Sequence, residues 1–408
     1  MKKINFLALS AFAALALILA GCDNGASLDD DSGTDTTQIS DSGNTEKESS
    51  GDEKNDNSTT DDVESPAATY TVTIAENIEN GTVTANKTSG IKAGETITLT
   101  ITPAITDEDD YELDELSVKN GETAVAVNNN AFTMPAGNVT VTATFKKIVY
   151  IGSKKPSIAK EVGDIVFNDG SAMPYTTGLT FTNAQKSAAI AIIFYKGTTL
   201  NSDVYATDEE GNVTWTTGDS ETVRTLGVGI KLHGDFEMSV WCRLTNTNDT
   251  ANAYKMNIKT IQCILEENEG TYTYTGDKNG SDNLEQIADF LATEGVTDDT
   301  ATAANYPAFY FAKNYSTKAT NLGTIYESGW YLPSIAELLE LFKEKAEVNA
   351  AIKAVGGNGF NNSSYWSSTQ SNTDDANSVS LSFNNGDGSR RSSYKKNELF
   401  MCAIREFN

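Results

Sequence analysis

Few residues of this sequence are of types and in places that could carry chemistry: one histidine, four cysteines and the acidic runs at 107–110 and 374–375. His233 stands alone, so a multi-histidine metal site cannot form, and a Ser-His-Asp or Cys-His relay has a single candidate base. Asp374-Asp375 could act as acid and base only opposite another carboxylate across a cleft, and neighbours on a strand point apart. Asp107-Glu108-Asp109-Asp110 clusters oxygen ligands that could take calcium, but without the EF-hand spacing, so a solvated acidic loop is expected. Cys242, Cys263 and Cys402 leave one thiol over in any pairing. A Cys242–Cys263 disulfide is one of three connectivities, and buried free thiols are the other reading. No enzyme, no cofactor and no metal site is expected from this inventory.

Charge narrows the classes further. The 408 residues carry 57 acidic and 30 basic side chains, a formal net charge of −27. Phosphate binding needs clustered Lys and Arg, so no nucleic acid is expected as a partner. The length leaves room for two or three domains. Lys2 and Lys3 precede a mainly apolar run from Ile4 to Ala20, closed by Leu19-Ala20-Gly21-Cys22. That order reads as a secretory signal, and its end resembles the bacterial lipobox. The resemblance implies cleavage before Cys22 and lipidation of its thiol, each buried acyl CH₂ contributing roughly 0.8 kcal/mol to a membrane anchor. Residues 1–21 are thus a signal peptide, and residues 22–68 a lipidated cysteine and a linker. From Asp23 to Pro66, 14 acidic side chains stand against 2 lysines, with almost no apolar residues. Such a segment cannot offset its ordering entropy, so a disordered linker extended by its own charge is expected. The expected location is the bacterial cell envelope, lipid-anchored at the outer membrane and surface-exposed.

At residue 69 the composition changes. Thr69 to Ile74 alternates polar and apolar residues, as a half-buried strand should. Asn80-Gly81 reads as a two-residue hairpin turn, followed by Thr82 to Ala85. Strands at Thr96–Ile101, Val125–Val127 and Val139–Phe145, with turns at Lys92–Glu95 and Met134–Asn138, complete an all-β domain over 69–147. The order "GETITLT … MPAGNVTVTATF" resembles the bacterial extracellular β-repeats related to internalin B-repeats, which implies a spacer or adhesion module.

Residues 148–408 mix both element types, giving an α+β reading. Strands are expected at Gly163–Gly170, Ile190–Tyr195, Leu226–Leu232, from Tyr365, and at Phe400–Phe407. Helices are expected at Thr182–Ala189, after the capping-box spacings Asp282/Glu285 and Ser334/Glu337, and at Val348–Val355 before Gly356-Gly357. In Ser378 to Phe383 the apolar Val379, Leu381 and Phe383 are expected to face the core, and the three serines to face outward. Asn384 to Gly388 reads as a turn.

Three motifs then carry a second resemblance: "GWYLPSIAELLELFK" (329–343), "YWSSTQ" (365–370) and "MCAIREF" (401–407). They are similar to the C-type lectin-like domain of treponemal variable lipoproteins of diversity-generating retroelements, which share architecture with formylglycine-generating enzymes. The resemblance implies a C-type lectin fold over 148–408, with a variable region at 365–407 that binds a macromolecular ligand, a protein or another polymer. Retroelement mutagenesis changes template adenines, and AAC-type codons cannot reach Lys, Glu, Gln, Met or Trp. Residues 371–394 contain none of these. The implied ligand-binding face is Asn372, Asn377, Ser380, Asn384, Asn385, Asp387, Ser389, Arg390, Arg391 and Tyr394. Tyr394 is its one aromatic, where a paratope-like surface favours several. The Glu-Pro-Asn, Gln-Pro-Asp and Trp-Asn-Asp tripeptides of calcium-dependent lectins do not occur. Nor does anything beside the cysteines resemble the formylglycine-generating catalytic motif. The alternative reading is a structural or spacer lipoprotein with a non-binding head.

Overall fold

Thr alternating with Val, Ile and Ala dictates the first folded part, in which the computed structural model has nine short strands. They are β1 (Thr69–Tyr70), β2 (Val72–Ile74), β3 (Gly81–Ala85), β4 (Ile91–Lys92), β5 (Thr96–Pro103), β6 (Tyr111–Asn120), β7 (Thr123–Ala124), β8 (Ala131–Thr133) and β9 (Val139–Lys147). The structure describes residues 67–231, 238–243, 256–268, 271–293, 301–371, 377–382 and 389–408. The signal segment, Cys22, the acidic linker, His233, Asp374 and Asp375 lie outside these residues. Along β9, Val139, Val141, Ala143 and Phe145 are buried while the residues between them are exposed. The sheets β2-β9-β6-β7 and β3-β5-β8 close over a core that includes Ile91, Ile97, Val118 and Met134.

The expected hairpin at Asn80-Gly81 does not form. Asn80 does take the left-handed conformation, with φ 61°. However, β2 pairs in parallel with β9, and β3 pairs with β5, so the chain crosses between sheets where a hairpin would have kept it in one. The acidic run is also more than a solvated loop. Asp110 accepts from Lys155 Nζ at 2.8 Å and from the Tyr150 hydroxyl at 2.8 Å, and Asp109 pairs with Lys147. Lys155 donates to the Thr106 carbonyl as well. These bonds tie the strands to the segment that follows, and residues 68–408 form one compact unit. Lys155 and Tyr150 hold the Asp110 carboxyl below the usual aspartate range.

Beyond residue 147 the order is β10 (Asp164–Phe167), β11 (Ala172–Pro174), α1 (Asn183–Ala188), β12 (Ala189–Gly197), β13 (Val204–Thr207), β14 (Val213–Thr216) and β15 (Arg224–Gly229). There follow β16 (Cys263–Asn268), β17 (Thr271–Gly276), α2 (Asn283–Thr293), α3 (Pro307–Lys313), β18 (Trp330–Tyr331), α4 (Ile335–Lys343) and α5 (Lys345–Ala354). The chain ends with β19 (Ser364–Gln370), β20 (Asn377–Ser382), β21 (Ser389–Tyr394) and β22 (Ile404–Glu406). The molecule is therefore mostly β, with few helices.

Its centre is an antiparallel sheet in the order β11-β10-β12-β15-β22-β18. The unbroken apolar run of β12 is explained by burial on both faces. Ile192 and Phe194 join the core shared with α4 and α5. Ala191 and Ile193 join a second core with Ile287 of α2, Phe309 of α3 and the aromatic rings of Trp241, Tyr306, Tyr315 and Trp330. The Ser334 and Glu337 capping box forms with both of its bonds. The one expected at Asp282 does not: a 3₁₀ turn capped by Asn279 precedes α2, and Asp282 bonds Gln286 instead. The last strand is confined to Ile404–Glu406.

Candidate binding surface

Two groups of polar residues stand out in the second part of the chain, one sealed and one open. The sealed group begins with Glu337, which caps α4 through Oε2, accepting from Ser334 N at 2.8 Å and from Gly280 N at 3.0 Å. A side chain at Gly280 would place its Cβ 2.5 Å from the Leu332 carbonyl, so glycine is required for this approach. The other oxygen, Oε1, accepts from Arg224 Nη2 at 2.8 Å and from the Tyr331 hydroxyl at 2.9 Å. Arg224 also donates to Glu406 Oε1, the Leu200 carbonyl and Asn279 Oδ1. Glu337 is fully buried and Arg224 nearly so. Burial works against the Arg224 charge, but Glu337, Tyr331 and Glu406 outweigh it and raise the guanidinium pKa. The group joins β15, the turn before α2, β18, α4 and β22; Arg224 and Glu337 are closed off, while Gly280, Tyr331 and Glu406 reach the wall of a neighbouring cavity.

The open group lies on the three-stranded sheet β19-β20-β21. Its register pairs Trp366 with Ser380 and Tyr365 with Leu381, then Ser380 with Arg391, Leu381 with Arg390, and Asn377 with Tyr394. Leu381 enters the core as expected. The serines depart from expectation, because Ser380 and Ser382 are also fully buried. The cause is a covering segment. Trp366 Nε1 donates to the Ser239 carbonyl and Trp241 Nε1 to the Ser367 carbonyl, while Trp241 N bonds the Lys395 carbonyl. Residues 239–241 thus lie over the face that carries Trp366 and Ser380. Ser380 Oγ is 3.1 Å from Ser393 Oγ, inside the sheet. Ser380 is therefore no part of an outer face.

Arg390, Arg391 and Tyr394 are exposed, Tyr394 by 53%. They do not share one face, however. Strand alternation puts Arg390 and Tyr394 on one side and Arg391 on the other. Among the described residues β21 pairs with β20 alone, leaving its far edge unpaired, and neither arginine has an ion-pair partner. Lys396 extends the positive strip, its ammonium 5.9 Å from the Tyr394 ring centre. Ser389 and Asn377 lie on the backbone of β21 and β20. Asn372, Asn384, Asn385 and Asp387 lie outside the described residues.

Cys242, Cys263 and Cys402 are buried and none is in a disulfide, so the Cys242–Cys263 pairing is not made. Burial pushes the Cys263 and Cys402 thiols well above their ordinary range, as expected of inert core groups. Among the described residues no three His, Cys, Asp or Glu side chains come together to hold a metal, and no helix is long and apolar enough to cross a membrane. A cavity of about 630 Å³ opens between α2, α3 and β18; none of the ten residues of the implied ligand-binding face lines it, although Arg405 and Glu406 of the implied variable region do. Sequence reasoning missed this cavity because its walls come from four separate stretches.

Residues 70–149 match the family model of the divergent InlB B-repeat domain, and this stretch is such a domain. No curated protein matches the chain. Among solved structures, a fimbrial protein from Bacteroides ovatus ATCC 8483 aligns with 82% of this chain and 68% of its own, at 14% identity and a TM-score of 0.39.

Proposed function

We propose that this is a lipid-anchored protein of the bacterial envelope that is displayed at the surface and binds a macromolecule along the outer strand of its C-terminal domain. The observation that carries the reading is Arg390 and Arg391, exposed and, among the described residues, without ion-pair partners on the outer strand of the β19-β20-β21 sheet, in a chain whose net charge is −27. Because the two arginines point to opposite faces, the partner meets the strand edge-on, straddling it. An unpaired strand edge supplies backbone donors and acceptors for that mode, and flanking side chains supply selectivity. Arginine and tyrosine are also favoured interface anchors.

The finer reading is a C-type lectin-like domain of the retroelement-diversified kind. What supports it is the convergence of its three motifs: Trp330 pairs with Arg405, Glu337 and Glu406 share Arg224, and Ile335 N donates to Thr369 Oγ1. The anchor on Cys22, the acidic linker and the B-repeat module then serve as tether and spacer beneath this head.

The test compares the purified protein with an Arg390→Ser/Arg391→Ser/Tyr394→Ser variant on arrays of extracellular-matrix and envelope polymers. The reading predicts a partner that the variant loses while its melting temperature is unchanged. Equal binding by both proteins would overturn it and favour a spacer role.

A further inference from the structure

We infer that the cavity between α2, α3 and β18 is a second binding site, separate from β21, for a small ligand whose carboxylate is anchored on Arg405. The cavity measures about 630 Å³, within the range of roughly 300–1,000 Å³ typical of small-molecule sites. Phe309, Trp330 and Leu332 give it an apolar floor, and Arg405 and Lys313 bring two cations to its wall.

Arg405 is held as a ligand-binding guanidinium would need to be. Nε donates to the Ser328 carbonyl at 2.8 Å, Nη2 to the Ile325 carbonyl at 3.3 Å, and Nη1 to the Glu406 carbonyl at 3.4 Å. Its central carbon lies 4.8 Å from the Tyr326 ring centre and 5.6 Å from that of Phe407. A guanidinium has five N–H groups. Three are used here, which leaves one on each terminal nitrogen. Among the described residues no carboxylate comes within ion-pair distance of Arg405 or of Lys313. Glu406, the nearest in sequence, is taken by Arg224. Glu285, Glu327 and Glu406 also line the cavity; the first two are exposed, Glu406 is held by Arg224, and none of the three comes within ion-pair distance of Arg405 or Lys313.

The fixing matters because a pre-set fork loses little freedom when a ligand arrives. A planar carboxylate suits the two remaining donors better than a point charge would. Gly329 keeps the space open: its φ is +85°, and a Cβ there would lie 3.0 Å from Arg405 Nε. The apolar floor calls for an apolar group beside the carboxylate, such as an aromatic or branched acyl or amino-acid side chain.

The probe pair is N-acetyl-phenylalanine and its primary amide, equal in shape and different in charge, titrated calorimetrically into the purified full chain. The acid is expected to bind at least about tenfold more tightly than the amide, and Arg405→Gln should erase the difference. Because Arg405 also secures the turn at 325–328, a second variant is needed. Leu284→Trp fills the cavity from the half-buried face of α2, leaves the guanidinium alone, and should abolish binding of the acid. A tripeptide ending in phenylalanine with a free carboxylate separates a peptide terminus from a free small acid as the source, and tight binding of either supports the site. Equal affinity for acid and amide, no binding of either, or binding of the acid that survives Leu284→Trp would overturn the proposal.

Discussion

Arg224 and the Arg390–Arg391 pair show what surroundings do to one residue type. Arg224 is buried and satisfied on every side by Glu337, Glu406, Asn279, Tyr331 and the Leu200 carbonyl. Arg390 and Arg391 stand on an edge strand with no ion-pair partner among the described residues. The first is a pin that fixes the positions of β15, β18, α4 and β22. The second is surface that the fold does not need. A buried charge cannot change without cost, whereas an exposed one can change with little effect on the fold, so the binding region proposed above is placed on the second and not on the first.

Breaking the pin should have the largest effect. Glu337→Ala leaves the Arg224 guanidinium buried without its main partner and strips two backbone N–H groups of their acceptor. It is expected to cost about 3–5 kcal/mol in chemical denaturation. Lys155→Ala removes the clasp on Asp110 and should cost less, about 1–3 kcal/mol, with the loss concentrated in the junction between the B-repeat module and the segment after it. Hydrogen exchange at residues 104–111 and 148–155 would locate that loss.

A third prediction concerns pH. Burial, opposed by the Ser202 hydrogen bond, pushes the Asp277 carboxyl from 3.8 up to about 8. Between those values the unfolded chain has released its proton and the folded chain keeps it, so stability from this group falls as pH rises through the window and levels off above it. Asp277→Asn should flatten that slope in melts taken from pH 5 to pH 8. An unchanged slope would show that Asp277 ionises normally in the fold. The smallest effect is expected on the open side, where Arg390→Ser and Arg391→Ser should each change stability by no more than about 0.5 kcal/mol.

The same contrast explains what could be read from the sequence. The Ser334/Glu337 capping box was legible because it is a local spacing with one geometric solution. That Glu337 also pins Arg224, 113 residues away, was not, because a long-range ion pair leaves no periodic trace. The alternation of β20 correctly sent Leu381 inward, but an outward direction was mistaken for exposure. Residues 239–241 cover that face, and nothing local to Ser380 announces them. Treating Arg390 and Arg391 as one face overlooked the alternation that had already separated Asp374 from Asp375. The Asn80-Gly81 turn was legible in its backbone conformation and not in its connectivity, since Asn80 adopts the left-handed region while the strands on either side join different sheets. The B-repeat module was the most legible part, because nearly every strand carries its own alternation.

The most direct test of an exchangeable strand on a fixed frame is to sequence the coding region for residues 365–407 across many cells of one culture. Differences are expected at Arg390, Arg391, Ser392 and Tyr394 and in the flanking segments 372–376 and 383–388. Trp366 and Ser380 to Ser382 should be unchanged. A uniform sequence, or variation that runs equally through the buried residues of β20, would contradict the account.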